Sequence, residues 1–486
     1  MNDDSRIVFM ILLIVLLGIT VALYIRRTYK IEAGLVPSGD GLRFKPMLGE
    51  FYAFQIPVSF CVVIAAFGTH GLLLFLPVLI ILSCYAGLLV IFLPILRKFV
   101  SARTCGWLWT LSYVSASVGI LGYRNGIVPT LIIPIAIDLT SLPEWLSILW
   151  VIGFAAVILW QTVSHFVYKA KLLKHADPVL DDSIIRIWAR EQDFVGFEGE
   201  SLKLRLSPQT QTPLSIGLFQ KTTYVILPDR MYSPEELSLI FRHELIHISR
   251  RDSINKCFLL FLTAVFWFNP FMWIAMRCCF DDLELSCDES VLQGYDQQTR
   301  KKYAELLLST AGDQRGFTTC LSASAKALRY RLKHTMVPKK KYQGSLLAAF
   351  LMILLCMTMI FCGFSYGTET AAEQIFDNRD LGLYTLVDEC IIGDDQGITE
   401  YPNINLEAVM GYLYQMPVSK LMNEVDVFAG SRKMQLIVYQ GEEKFFIGLS
   451  TKYLWVRTYP DGEAQDTYYA LKEKVDWDTL KSLLNQ

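Results

Sequence analysis

Two histidines separated by three residues are the part of this sequence whose types and spacing could do chemistry. Residues 243–247 read His-Glu-Leu-Ile-His. On a helix, His243 and His247 lie one turn apart on the same face, so both imidazoles can bind one metal ion. Glu244 then lies beside the open coordination position, where a carboxylate can take a proton from water. The spacing predicts hydrolytic metal chemistry, with Zn²⁺ as the expected ion.

A third metal ligand is expected outside this pentapeptide, because a catalytic zinc ion usually has three protein ligands and one water. The richest downstream candidate is the acidic run 281–289, which contains Glu284 and Asp288. These carboxylates are four residues apart and share one face of a helix. One can bind zinc while the other accepts a hydrogen bond from a ligand histidine. Spacing alone leaves open which carboxylate has which role.

The residues before the histidines predict the elements that position them. Ser233, Pro234 and Glu236 form the pattern of a capping box with proline at the first helical position, so a helix should begin here. Residues 223–227 are β-branched and aromatic and end at a proline, which predicts a strand. An extended substrate could pair with this strand if it lies at a sheet edge.

The composition of the whole chain places this site in a membrane protein. Its 486 residues are 53% hydrophobic, with a mean hydropathy of +0.35. Only 19% are charged, compared with about 25% in soluble domains. This excludes a disordered chain, a fibrous repeat and a purely cytosolic enzyme, and it indicates a polytopic membrane protein with soluble parts. No basic stripe indicates direct nucleic-acid binding, and the lipid bilayer is the first expected partner.

Six apolar runs predict membrane spans, and the basic residues beside them predict the orientation. The predicted spans are 7–25, 51–68, 72–96, 105–121, 145–168 and 344–364. Basic residues follow the first and fifth spans and precede the sixth, so these flanks should be cytoplasmic. Both termini are then extracytoplasmic.

The spans divide the chain into five predicted domains. They are an N-terminal region with two extra spans (1–70), further spans (71–168), a cytoplasmic domain with the histidines (169–342), the last span (343–366) and a C-terminal domain (367–486).

The apolar run 254–276 is long enough to cross a membrane but is interrupted at Asn269 and Pro270. The proline removes a backbone donor and disfavours helix at the residue before it. If this run crossed, Glu284 and the histidines would lie on opposite sides of the membrane. With Glu284 as a ligand, the run must therefore be a re-entrant or interfacial segment that enters and leaves on the cytoplasmic side.

The C-terminal part is acidic, with 20 Asp and Glu against 10 Lys and Arg from residue 369 onward. Four segments rich in aromatic and β-branched residues predict strands at 434–439, 444–449, 453–458 and 467–471, and a closing helix is predicted at 477–484. A small extracytoplasmic α+β domain is expected. Its sequence contains no histidine and no recognisable catalytic group, so it is either a plain cap or a sensing module.

The central sequence resembles the BlaR/MecR-type membrane metallopeptidases over roughly residues 72–366. The motifs that carry the resemblance are Pro-Leu-Ser-Ile-Gly at 213–217, Tyr-Val-Ile-Leu-Pro at 224–228, the histidine helix, Arg-Asp at 251–252, Trp-Phe-Asn-Pro at 267–270, Glu-Leu-Ser-Cys-Asp at 284–288 and Tyr-Ala-Glu-Leu-Leu at 303–307. The resemblance implies a polytopic α-helical membrane protein with a cytoplasmic, gluzincin-like zinc metallopeptidase domain. It also implies that His243, His247 and Glu284 bind zinc and that Glu244 is the catalytic base. Asp288 would accept a hydrogen bond from a ligand histidine.

The sequence departs from the best-known branch of that family, whose members sense β-lactams outside and cleave a transcriptional repressor inside. The tail has about 120 residues and no Ser-x-x-Lys nucleophile, so a covalent β-lactam sensor is not expected. The two N-terminal spans are additional to the family pattern.

We therefore expect a zinc endopeptidase of the bacterial plasma membrane that cleaves a cytoplasmic protein in response to an extracytoplasmic signal. A transcriptional repressor is one candidate substrate, and the sequence leaves the oligomeric state open. The alternative is a quality-control membrane protease of the HtpX type. A purely structural zinc site is a third reading, but the intact Glu244 argues against it because a structural site needs no base.

Overall fold

A computed structural model describes most of the chain. The described residues are 3–37, 41–45, 50–124, 129, 131–135, 144–197, 202–219, 222–309, 325–336, 341–376, 380–394, 397–401, 404–422, 432–441, 443–459 and 462–484. They form a bundle of apolar helices, a mixed domain that contains the histidine helix, and a large C-terminal sheet.

Among the described residues, five helices coincide with the predicted membrane spans. They are α1 (Asp3–Glu32), α2 (Glu50–Leu96), α3 (Ala102–Arg124), α4 (Glu144–Lys174) and α11 (Ser345–Phe361). Within the described residues, three helical segments are long and apolar enough to cross a membrane, namely Val8–Glu32, Leu76–Leu96 and Ile148–Lys174. The 17-residue α11 is apolar but shorter. The other predicted spans fall on the first half of α2 and on α3, and the count of six stays a prediction.

Helix α2 covers two of the predicted spans without a break in its helical assignment. The ring of Phe60 lies 5.6 Å from that of Phe261, and the Ser83 hydroxyl accepts a hydrogen bond of 2.8 Å from Asn269. A straight helix would separate Phe60 from Ser83 by about 35 Å. Phe261 and Asn269 are too close in the chain to bridge that distance. The chain must therefore bend sharply between residues 60 and 83, so that its two halves lie side by side in the bundle.

The apolar run 254–276 forms two helices, α7 (Asp252–Val265) and α8 (Pro270–Val291). Asn269 is the N-cap of α8, where its side chain accepts a hydrogen bond from the Phe271 amide, and Pro270 occupies the first turn. Lys256 near the start of α7 contacts Glu284 in the second half of α8, with 3.1 Å between Nζ and Oε1. The two helices are therefore antiparallel, and the run enters and leaves the apolar bundle on one side.

The remaining elements of the central region surround the histidine helix. They are β2 (Asp177–Pro178), α5 (Asp182–Val195), β3 (Lys203–Ser207), β4 (Leu214–Ile216), β5 (Tyr224–Pro228), α6 (Pro234–Arg250), α9 (Gln297–Ser309) and α10 (Ala325–Met336). The strands form a four-stranded sheet in the order β2-β3-β5-β4. The strand predicted at 223–227 is β5, which pairs with β3 on one side and β4 on the other. It is an interior strand, so an extended substrate cannot pair with it.

Within the described residues, the C-terminal sheet has nine strands in the order β1-β6-β9-β13-β12-β11-β10-β7-β8. Its strands are β1 (Leu131–Ile135), β6 (Cys362–Thr370), β7 (Tyr384–Asp394), β8 (Gly397–Glu400), β9 (Pro417–Leu421), β10 (Lys433–Gln440), β11 (Glu443–Ser450), β12 (Tyr453–Thr458) and β13 (Gln465–Leu471). The helices α12 (Ala371–Gln374), α13 (Leu406–Tyr414) and α14 (Trp477–Leu484) contribute to its core. The four strands predicted from sequence lie within β10 to β13, and the predicted closing helix is α14.

The last apolar helix ends earlier than the predicted span 344–364. Helix α11 stops at Phe361, and the chain continues without a loop as strand β6 from Cys362. The backbone of β6 pairs in parallel with β1 and antiparallel with β9, so its polar groups are satisfied by sheet neighbours rather than by helix. Strand β1 comes from the connection between α3 and α4, where no strand was predicted. The sheet thus begins inside the region assigned to the last span.

Candidate active site

Helix α6 presents the two histidines. The predicted capping box is present: the Ser233 amide donates to the Glu236 carboxylate at 2.8 Å, and the Glu236 amide donates to the Ser233 hydroxyl at 3.3 Å. The helix ends at Arg251, whose φ of 56° is left-handed. Because α7 starts at the next residue, Asp252 turns back toward the last turn of α6 and reaches His247.

Three possible ligand atoms meet at one point beside α6. The Nε2 atoms of His243 and His247 are 3.1 Å apart, and the Oε2 atom of Glu284 lies 3.6 Å from each of them. Ligands at 2.0–2.1 Å from a tetrahedral zinc ion lie about 3.3 Å from one another. The two imidazole nitrogens and the carboxylate oxygen therefore have the chemistry and the spacing that a zinc ion requires.

Cys287 is a second candidate for the third ligand. Its Sγ atom and the ligand nitrogens of both histidines lie within 4.8 Å of one another. The thiol also donates a hydrogen bond of 3.3 Å to the backbone carbonyl of His243, and its side chain is fully buried. Because the thiol already has this partner while a Glu284 oxygen lies 3.6 Å from both imidazoles, the geometry favours the carboxylate.

Asp252 fixes the orientation of the His247 ring. The Nδ1 atom of His247 lies 2.7 Å from an oxygen of Asp252, and both side chains are buried. A carboxylate only accepts hydrogen bonds when ionised, so Nδ1 carries the proton. The lone pair of Nε2 is then directed to the point shared with His243 and Glu284, which is the usual support for a metal-binding histidine.

Tyr303 fixes the orientation of the His243 ring. Its hydroxyl donates a 2.7 Å hydrogen bond to Asp288 and lies 2.9 Å from Nδ1 of His243. Burial, together with the neighbouring Asp288 charge, raises the pKa of the Tyr303 phenol well above its usual value, so it stays a donor. The phenol oxygen then accepts from Nδ1–H of His243. Asp288 thus supports His243 through Tyr303, since its own oxygen is 3.6 Å from that nitrogen.

Two basic side chains hold the acidic pair on α8. Lys256 donates to one Glu284 oxygen, and Arg331 from α10 lies 3.4 Å from the other. Arg331 also makes two hydrogen bonds to Asp288, at 2.7 and 2.8 Å. Burial opposes ionisation of Glu284, but Lys256 and His247 outweigh it and hold the pKa of the Glu284 carboxyl well below its usual range. The carboxylate is therefore available as an anionic ligand.

Glu244 follows His243 on α6 and is only 3% exposed. The structure thus brings His243, His247 and Glu284 together and connects Asp288 to them.

Sequence reasoning assigned no role to Asp252, Tyr303, Lys256 or Arg331. Asp252 and Tyr303 were part of the motifs that carried the family resemblance, which was the available signal for them.

Replacing Asp252 with asparagine should weaken zinc binding by about 10- to 100-fold. The neutral amide no longer stabilises the Nδ1–H form of His247, so Nε2 is a poorer ligand. The measurement is a zinc titration of the purified chain against a competing chelator. Asp193→Asn, at an exposed position on α5, is the matched control. Equal affinities of wild type and Asp252→Asn would refute the supporting role of Asp252.

Comparisons with known proteins agree with these features. Residues 131–335 match the family model described as BlaR1 peptidase M56. The regulatory protein BlaR1 of Bacillus licheniformis is 27% identical over 197 residues, which are 40% of this chain and 32% of that protein. The methicillin resistance mecR1 protein of Staphylococcus aureus is 23% identical over 180 residues, 35% of this chain and 29% of that protein. The chain therefore spans about a third of the length of the curated relatives it matches.

The chain combines helices that are long and apolar enough to cross a membrane with a region that matches a peptidase family. Its motifs predicted the BlaR/MecR type, and the comparisons confirm that prediction. Residues 131–335 match the peptidase M56 family, and this part of the chain is similar to the BlaR1 and mecR1 proteins.

Proposed function

We propose that this chain is a zinc endopeptidase of the bacterial plasma membrane that hydrolyses a cytoplasmic protein in response to an extracytoplasmic signal. The observation that carries the proposal is the triangle of ligand atoms from His243, His247 and Glu284, with edges of 3.1, 3.6 and 3.6 Å. Glu244 on the same helix turn supplies the base that a hydrolase requires.

Each residue of the site has a distinct role in this proposal. A bound zinc ion supplies Lewis acidity, which polarises the scissile carbonyl and lowers the pKa of water to about 7. The Glu244 carboxylate accepts a proton from the attacking water and passes it to the leaving nitrogen. Asp252 and Tyr303 keep the protons of both imidazoles on Nδ1. No covalent acyl intermediate is needed, because water is the nucleophile.

The substrate proposal rests on the relatives, two of which are named as a regulatory protein and a resistance protein. A transcriptional repressor is therefore the proposed cytoplasmic substrate. The test compares the cleaved cytoplasmic proteins, mapped by their new N-termini, in cells that carry wild type or the Glu244→Gln variant. One dominant product supports signalling, and many products support quality control of the HtpX type. The absence of any Glu244-dependent product would refute the peptidase proposal.

We also propose that the histidine site faces the cytoplasm and that the C-terminal sheet lies outside the cell membrane. The helix ends that carry basic residues support this orientation, because the last turn of α1 contains Lys30 and the last turn of α4 contains Lys171 and Lys174. A protease-cleavable tag placed after Gln486 should be removed from intact cells by added protease. A tag that is cut only after the cells are lysed would refute this orientation.

A further inference from the structure

A cavity of about 390 Å³ is lined by Asp288 and by residues at the ends of several helices, and neither His243 nor His247 is among its lining residues. We call it the Arg103 cavity. The residues that matter here are Glu32 at the end of α1, Arg103 at the start of α3, Asp288 and Glu289 on α8, Arg300 on α9, and Lys341 before α11. The cavity therefore lies between the ends of α1, α3 and α11 on one side and helices α8 and α9 of the central domain on the other.

Arg103 is a buried cation with unused hydrogen-bond donors. Its side chain is 7% exposed, and one of its terminal nitrogens contacts the Glu32 carboxylate. Its Nε and second terminal nitrogen have no hydrogen-bond partner among the described residues. Leaving charged donors unsatisfied away from water is costly unless another group supplies acceptors. Arg103 thus needs an acceptor that the described part of the chain does not supply.

The carboxylates that line this cavity are already engaged by cations. Glu32 contacts both Arg103 and Arg250, Asp288 is bound by Arg331, and Glu289 pairs with Lys341. These contacts leave the Nε atom and the second terminal nitrogen of Arg103 without an acceptor among the described residues. An anion bound in the cavity would supply that acceptor.

Arg300 is held by backbone groups rather than by a carboxylate. Its three donor groups bind the backbone carbonyls of Tyr295, Leu292 and Thr335. These contacts hold the guanidinium in place, and no ion pair to it is found among the described residues. Lys341, by contrast, pairs with Glu289 at 2.8 Å. Arg300 therefore contributes a positive charge to the cavity lining that no described carboxylate pairs with.

We propose that the Arg103 cavity binds a phosphate-bearing anion. Guanidinium groups hold phosphate through paired hydrogen bonds, and the cavity offers such a group with free donors. Its walls are the basic ends of apolar helices, the level at which anionic lipid headgroups lie in a membrane. The phosphate can come from an anionic phospholipid or from free inorganic phosphate, and the same residues would bind both.

The test measures binding to the full purified chain in detergent by native mass spectrometry. The probes are phosphatidylglycerol, phosphatidylcholine as the neutral-headgroup lipid, and inorganic phosphate. The variants are Arg103→Gln and Lys341→Gln, and the control is Lys98→Gln, which removes an exposed positive charge outside the cavity. Lys341 is included because its partner Glu289 is partly exposed, so this variant leaves no deeply buried carboxylate unpaired. The thermal unfolding midpoint of each variant checks its folding.

Both cavity variants should lower the affinity for the phosphate ligand by about tenfold or more, the usual effect of losing one charged hydrogen bond. The Lys98→Gln control should bind as wild type does. This pattern with phosphatidylglycerol identifies a lipid site, and the same pattern with inorganic phosphate alone identifies a site for the free ion. If folded cavity variants bind every probe as the control does, the proposal is wrong.

Discussion

Replacing Glu244 with glutamine is expected to reduce peptide hydrolysis by about 10²- to 10⁴-fold, the contribution of a general base. Glutamine has nearly the same shape but cannot accept the proton of the attacking water. The imidazoles of His243 and His247 and their partners are unchanged, so zinc content should stay at the wild-type level. The measurement is the rate of β-casein cleavage by the purified chain, with zinc determined by elemental analysis of the same sample.

The matched control for this variant is Glu235→Gln on the same helix. Glu235 is exposed and pairs with Lys302 at the surface, away from the histidines. It should cleave as wild type does, because surface ion pairs contribute little. A Glu244→Gln protein that retains full activity with bound zinc would exclude Glu244 as the base. Loss of zinc in that variant would instead show that Glu244 helps to hold the metal.

The second large effect is expected at the third ligand. Glu284→Gln should lose zinc under conditions where Cys287→Ser keeps it, because a Glu284 oxygen lies 3.6 Å from both imidazole nitrogens while the Cys287 thiol donates to the backbone carbonyl of His243. The loss should exceed the roughly 10- to 100-fold that removal of a supporting partner costs. The measurement is zinc content per chain after dialysis against a weak chelator.

Folding must be checked in the Glu284 variant, because Lys256 and Arg331 would lose an ionic partner. Glu289→Gln is the appropriate control, since Glu289 lies on the same helix and also pairs with a lysine. A folded Cys287→Ser protein without zinc, beside a Glu284→Gln protein that retains it, would replace the carboxylate with the thiolate as third ligand.

Local spacing was sufficient to identify the two histidines and to restrict the third ligand to Glu284 or Asp288, and the family resemblance indicated Glu284. His243 and His247 share one helix turn, and Glu284 lies on a helix whose start is marked by Asn269 and Pro270. Each of these features is encoded within a few residues of sequence. The requirement that all three side chains meet on one side of the membrane then predicted a run that turns back. The structure brings their donor atoms to within 3.6 Å.

The supporting residues could not be assigned in the same way. Tyr303 reaches His243 across 60 positions of sequence, and Arg331 reaches Asp288 across 43. Such contacts depend on how α9 and α10 pack against α6 and α8, which no periodicity in the sequence specifies. Asp252 is close to His247 in sequence, but its role depends on the left-handed turn at Arg251.

Strand β1 was missed for a related reason. Its five residues, Leu131–Ile135, include a proline and lie in a connection between apolar helices. Their strand structure comes from pairing with β6, more than 200 residues later in the chain. Propensity in a short segment cannot reveal a partner at that distance. The four antiparallel strands β10 to β13 are consecutive, and their turns made them recognisable.

The pairing of β1 with β6 also has a mechanical consequence. In the described residues, the strands from β6 onward are attached to the helical bundle covalently through α11 and by five backbone pairs between β6 and β1 of the α3–α4 connection. A rotation of these strands would therefore be transmitted to α11 and to the α3–α4 connection at the same time. At the far end of α11, Gly344 lies close against Val100 and Thr104, where added atoms would clash. Gly344 therefore allows this end of α11 to pack closely against the start of α3, and a larger side chain there would force the two helices apart.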